Sequence, residues 1–143
     1  MKEKVKEVLN KQKLGVLATT GDIYPCTSLV AVSHSQDLKV ALFATLRNTR
    51  KYINIQNNPD VTILVDNRTN TEEDFEHAVA LTIMGRAQEI ASEQVDEYRE
   101  LFLAKHPSLR TFVDDPDCAL ISLIVSKYVY VSQFQEITEV DMS

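Results

Sequence analysis

Three apolar runs crowd into the first third of this chain, and the connections between them are too short to do anything but reverse direction. Leu14–Thr20, Tyr24–His34 and Leu38–Thr45 are separated by Gly21-Asp22 and Gln36-Asp37, residues with turn chemistry. A parallel crossover needs about a dozen residues or more, so the spacing predicts an antiparallel meander. Val61–Val65 reads as another strand. His77–Ile90 alternates, with Val79, Leu81 and Ile83 on one side, and Cys118–Gln133 is the last long strand, with a continuation through Phe134–Val140 left open.

Helical patterns punctuate these strands. Residues 2–12 place Val5, Val8 and Leu9 at helical spacing among charges. A second helix opens at Asn48 or Thr49 and is stopped by Pro59. A third spans Ser92–Lys105, with Ser92 as its cap and Val95, Tyr98, Leu101 and Phe102 as its buried stripe; Pro107 ends it. The polar, aperiodic stretch Asp66–Glu76 is a loop. The expectation is one domain over residues 1–143, mainly β, with six or seven antiparallel strands closed into a barrel and three flanking helices.

Composition narrows the function. With 15 Lys and Arg against 21 Asp and Glu, the net charge is −6. That argues against nucleic acid or an anionic membrane as partner, since both need clustered cations. The most apolar stretch, Cys118–Val131, is broken by Ser122, Ser126 and Lys127 and falls short of the ~18 residues of a membrane span. The charged start Met1–Lys6 has no signal-peptide core, and Cys26 and Cys118 stand alone, so free thiols and a cytoplasmic location are expected.

His34, His77 and His106 lack metal-ligand spacing. His34 reads as an edge histidine, with a proton-transfer role as the alternative. Neither Ser33 nor Ser122 sits in a nucleophile elbow. Tyr128 and Tyr130 share a strand face, where packing is the commoner reading and flanking a ligand the rarer one. Asn67 and Arg68 lie in the polar loop, solvated or reaching toward a partner's site.

The chemistry concentrates in Phe43-Ala44-Thr45-Leu46-Arg47-Asn48-Thr49-Arg50-Lys51, where a strand gives way to a helix. Helix starts carry unpaired N–H groups and partial positive charge, and they normally attract acids. This one begins with Arg50 and Lys51, directly after Arg47. Two cations there oppose the helix dipole by ~0.3–1 kcal/mol each. A bound phosphate would reverse that sign, using Thr49, the backbone N–H groups, an Arg fork and a Lys ammonium. Spacing alone also allows solvation, or pairing with Asp66, Glu72 or Asp74.

Taken in order, Leu17-Ala18-Thr19-Thr20-Gly21, Pro25-x-x-Ser28-Leu29-Val30, Leu42-Phe43-Ala44-Thr45, Thr49-Arg50-Lys51 and Asn57-Asn58-Pro59, with Gly85-Arg86-Ala87 later, resemble the pyridoxamine 5'-phosphate oxidase-like superfamily of FMN-binding split barrels. The likeness covers roughly residues 10–135. It implies a split β-barrel homodimer with FMN at the subunit interface. Arg50 and Lys51 would hold the phosphate with Thr49 assisting, Ala44 and Thr45 would lie near the phosphate or ribityl chain, and backbone groups of Ser28, Leu29 and Val30 would face the isoalloxazine ring. The activity implied is an FMN-dependent oxidoreductase, passing electrons between a small-molecule donor and acceptor.

This chain departs from true oxidases of pyridoxamine phosphate. Ser28 stands where they carry a basic residue and Ala80 where they carry a glutamine, and Gln135–Asp141 is acidic where they have an arginine- and histidine-rich motif. Vitamin B6 oxidation is therefore not expected. The alternatives are a non-catalytic flavin module (sensor, carrier or store) and a split barrel binding haem or a deazaflavin.

Overall fold

Glycine at the first turn sets the first hairpin. In the computed structural model, which describes residues 1–143, β1 (Leu14–Thr20) runs antiparallel to β2 (Pro25–Ala31), with Leu17 opposite Ser28. A Cβ on Gly21 would stand 2.5 Å from the Tyr24 carbonyl oxygen, so the turn admits no side chain there.

Beyond this hairpin the chain departs from the expected meander. The strand expected over Tyr24–His34 breaks at Val32. Its last residues, Ser33–His34, form a separate strand β3, which pairs with β4 (Val40–Leu46). The sheet is completed by β5 (Asp60–Asp66), β6 (Val79–Glu89) and β7 (Cys118–Ser132), in the order β2-β1-β5-β6-β7-β4-β3. Consecutive strands β2 and β3 thus occupy opposite edges, with only Val32 between them. Laid flat, six strand spacings would part those edges by about 29 Å, whereas one residue reaches ~3.6 Å. The sheet has to curl until its edges meet.

Alternation fills the resulting half-barrel. Leu17, Phe43, Ile63, Ile83, Ile121 and Tyr128 belong to one fully buried cluster. Helix α1 (Lys2–Lys11) packs against β3, β5 and β6 and adds Val5, Val8 and Leu9 to it. The Tyr128 hydroxyl donates to the Leu38 carbonyl at 2.7 Å, so this tyrosine packs and does not flank a ligand. A second cluster lies outside the sheet, where α4 (Val95–Lys105) sets Phe102 and Leu103 with Leu42 and Leu120. That cover explains why β4 and the first half of β7 are buried on both faces. Lys105 ties α4 to the end of α1, its amine donating to the carbonyls of Leu9 (2.6 Å) and Gln12 (2.7 Å). No helix is long and apolar enough to cross a membrane.

The remaining elements correct the expectation in detail. The helix expected from Ser92 begins at Val95, after a 3-10 turn over Ser92–Gln94; the Ser92 hydroxyl bonds Glu93 and caps nothing. Besides α2 (Arg50–Asn57), a short helix α3 (Asp74–His77) spans the end of the expected loop and the first residue of the expected strand, and α5 (Arg110–Asp114) lies in a stretch with no assigned element. The last segment does not continue β7. Gln133 and Phe134 take positive φ values of 53° and 58°, and the chain returns as β8 (Glu136–Asp141) against the second half of β7. Eight strands and five α-helices stand where six or seven and three were expected, but the mainly β, antiparallel barrel architecture holds.

One backbone approach is especially close. The β6–β7 register shifts between Met84 and Gly85, and a Cβ on Gly85 would lie 2.1 Å from the Ile124 carbonyl oxygen. Backbone cannot yield as a side chain can. Gly85→Ala should therefore destabilise the protein by about 1–3 kcal/mol or more, read as a lower urea midpoint; an unchanged midpoint would show that β6 and β7 can separate there without cost.

Candidate functional site

Strand β4 ends at Leu46, and α2 opens four residues later under a threonine cap. Thr49 has extended backbone angles, and its hydroxyl accepts from Tyr52 N–H at 3.4 Å and donates to the Leu46 carbonyl at 2.8 Å. The Thr45 hydroxyl sits 2.9 Å from that of Thr49, and Thr45 itself is 1% exposed. Thr45 therefore braces the cap from beneath. The first helical turn contains no acid, and the N–H groups of Arg50 and Lys51 have no helical partner.

The three cations of this turn have different fates. Arg47 is committed: its Nε and Nη2 fork onto the Glu89 carboxylate at 3.3 and 2.5 Å, and Nη1 donates to the Pro116 carbonyl at 2.9 Å. Tyr52 donates its hydroxyl to the same carboxylate at 2.6 Å. Arg50 and Lys51 enter none of the ion pairs of the fold. The pairings left open by spacing do not form, since Asp66 takes Arg68 and Asp74 accepts the Thr69 and Asn70 N–H groups. Arg68 is thus occupied within its own loop, and the Asn67 side chain accepts from Val79 N–H at 2.6 Å.

A cleft of about 460 Å³ opens beside this turn, at the seam where the curled edge strand β2 approaches β4. Leu29, Val30, Ala44, Thr45, Thr49 and Lys51 all line it. Two other residues singled out from sequence do not. Arg50 is exposed outside the cleft, and Ser28, opposite fully buried Leu17 on β1, shares the barrel-facing side of the hairpin. The opposite wall is apolar, made by Phe102 of α4 with Leu109 and Phe112. Sequence reading missed Leu109 and Phe112. Their spacing with Val113 (i, i+3, i+4) is a one-turn helical signal that Pro107 obscured.

The cleft does not stop at its own walls. Leu14 and Leu29, 57% and 71% exposed, also line a second depression of about 490 Å³ over the outer face of β1 and β5. Asp66 and Arg68 carry it on to a third, of about 600 Å³, where the rings of Phe75 and Phe134 stand 5.7 Å apart. The histidines form no metal cluster. His34 lies at the β3 edge with Nε2 2.9 Å from the Asn10 side-chain oxygen, and buried His106 donates to the Val32 carbonyl at 2.8 Å.

Comparison with known proteins bears on this arrangement. Residues 1–132 match the family described as pyridoxamine 5'-phosphate oxidase. No curated protein matches the chain. The fold is similar to that of a heme binding protein from Mycobacterium smegmatis (TM-score 0.85, 16% identity), covering 97% of this chain and 57% of that one. It is also similar to general stress protein 26 from Bacillus anthracis (TM-score 0.74, 22% identity, 99% and 98% covered). A third similar structure, from Clostridium acetobutylicum, is a protein related to general stress protein 26 of B. subtilis, of the pyridoxinephosphate oxidase family (TM-score 0.72, 15% identity, 98% and 93% covered). At these identities the structural likeness shows the fold alone.

The Glu89 tether has a pH signature. The Arg47 hydrogen bonds, helped by Tyr52 and opposed by burial, hold its carboxyl below the ordinary value of 4.5. Its contribution to stability is complete above that value and is lost as pH falls through the lower folded one. The stability gap between the native chain and Glu89→Gln in urea should thus be full at about pH 7 and narrow below about pH 4.5. A gap independent of pH would contradict it.

Proposed function

The chain belongs to the pyridoxamine 5'-phosphate oxidase family, and from that premise we propose that it binds FMN in the cleft at the start of α2 and serves as a flavin-dependent oxidoreductase for a small substrate, as a homodimer. One observation carries the reading: a helix N-terminus with no acid and two unpaired cations, Lys51 lining the cleft and Arg50 next to it in the chain and exposed, opens onto a cleft whose far wall is apolar. FMN has that same division, a phosphate dianion at one end and a flat ring system at the other.

The residues present fit the group. A cleft of about 460 Å³ is of the size that small ligands occupy, roughly 300–1,000 Å³. Lys51 and Arg50 neutralise the phosphate, and the N–H groups behind the Thr49 cap point toward it. Leu29, Phe102 and Phe112 shield the ring end from water, which strengthens every polar contact inside. When bound, FMN would supply the hydride and electron transfer. No side chain of the cleft is needed as an acid or base for that role.

Dimerisation rests on the edge strand. β2 has a strand partner on one side only, and the cleft extends over a mixed face where Leu14, Val16, Leu29 and Leu64 lie among Lys11, Lys13, Asp66 and Arg68. A second copy over that face would cover both the edge and the apolar residues. Pyridoxamine phosphate is not the proposed substrate, because Ser28 shares the barrel-facing side of its hairpin and Ala80 offers no amide.

A second reading, haem in place of flavin, is supported by the likeness to the heme binding protein from Mycobacterium smegmatis. Against it, no His, Cys, Met or Tyr side chain lines the cleft, and these are the residues that usually ligate haem iron.

The visible spectrum separates the two. Protein mixed with FMN and then desalted should keep its flavin bands, while Arg50→Ala with Lys51→Ala should lose affinity by about a hundredfold or more, the lower end of the scale of two charge-assisted hydrogen bonds. Bare protein after desalting, or a Soret band on haem addition instead, overturns the FMN reading. Steady-state turnover with NADH or NADPH then distinguishes an enzyme from a flavin-binding module.

A further inference from the structure

We infer that Glu89 is a positioning residue of the phosphate site, holding the turn of residues 47–52 so that Thr49, Arg50 and Lys51 meet an anion in a fixed arrangement. The inference rests on the FMN reading above.

The geometry is specific. Glu89 is near the end of β6, far from the turn in sequence, yet its two carboxylate oxygens take three donors from it: Arg47 Nε, Arg47 Nη2 and the Tyr52 hydroxyl. Arg47 and Tyr52 bracket Thr49, Arg50 and Lys51. Arg47 is further fixed by its backbone N–H on the Asp117 carbonyl and by its Nη1 on that of Pro116, both at 2.9 Å. Thr49, Arg50 and Lys51 are therefore clamped on both sides to β6 and to the turn before β7, while the Arg50 and Lys51 side chains keep no acid partner.

The clamp also sorts charge. Three cations lie within five residues, and a carboxylate shared among them would quench the site. Glu89 instead takes Arg47 in a forked pair and leaves Arg50 and Lys51 without an acid partner. The carboxylate is balanced by a cation that does not line the cleft.

This arrangement makes the sign of a mutational effect informative. Glu89→Gln removes a negative charge near the site, so electrostatics alone would tighten phosphate binding. Loss of the clamp would weaken it. Riboflavin, which is FMN without the phosphate, reports on the ring end of the cleft only.

The experiment measures FMN and riboflavin affinity for the native chain, Glu89→Gln and the milder Tyr52→Phe, with amide hydrogen exchange of each unliganded protein. We expect FMN to weaken about tenfold or more in Glu89→Gln, the scale known for loss of an outer hydrogen-bond partner at metal sites. Riboflavin should be unchanged, and Tyr52→Phe should move FMN the same way by less. Exchange should quicken at the bonded amides of Thr49, Tyr52 and Ile53 while β5 and β6 keep their protection. Tighter or unchanged FMN binding overturns the inference. So does an equal loss of FMN and riboflavin, which marks a purely structural role. If the native chain binds no FMN, the flavin reading fails by itself, and unaltered exchange at Thr49, Tyr52 and Ile53 would still overturn the clamp.

Discussion

A single residue, Val32, closes this fold. It joins two strands that stand at opposite edges of a seven-strand path, and no flat sheet can satisfy that connection. The curl that results creates an interior for the alternating apolar residues. It also creates a seam where the free edge of β2 comes back toward β4. The cleft lies at that seam. Leu29 and Val30 come to it from one edge, Ala44 and Thr45 from the strand beside the other. The site is thus a by-product of closure, which is why residues so far apart in sequence share it.

Electrostatics at the seam run against the general character of the molecule. The chain carries a net charge of −6, yet its most distinctive local feature is a helix start furnished with cations. An opposed helix dipole costs little at a solvated surface, so the arrangement is tolerable without a ligand and favourable with an anion. The nearest carboxylate in contact with the turn, Glu89, is spent on Arg47 and Tyr52. Paired and unpaired cations are sorted by geometry within one turn of chain.

Much of this was legible because it is local. The turn at Gly21, the cap at Thr49 and the bounds of β1 depend on residues within a few positions of each other. The three-residue run Thr49-Arg50-Lys51 stood out because it breaks a rule that also operates over one turn. Six of the residues named from sequence gather in one cleft because strand end and helix start are covalently adjacent, and because β2 borders the seam. Ser92 misled for the opposite reason: a good capping residue was drawn into a 3-10 turn that it opens.

Composition, alternation and turn residues by themselves determined a mainly β, antiparallel domain, a cationic helix start and a core of alternating aliphatic residues, since each follows from short-range sterics and from burying every second side chain. Only the tertiary structure decided which strands pair, and so that β2 and β3 lie at opposite edges. It alone placed Leu109 and Phe112 across from Lys51, matched Gly85 to the Ile124 carbonyl, and brought Glu89 to Arg47. Those contacts join residues tens of positions apart, and local pattern cannot specify them. Their geometry exists only once the whole sheet has curled shut.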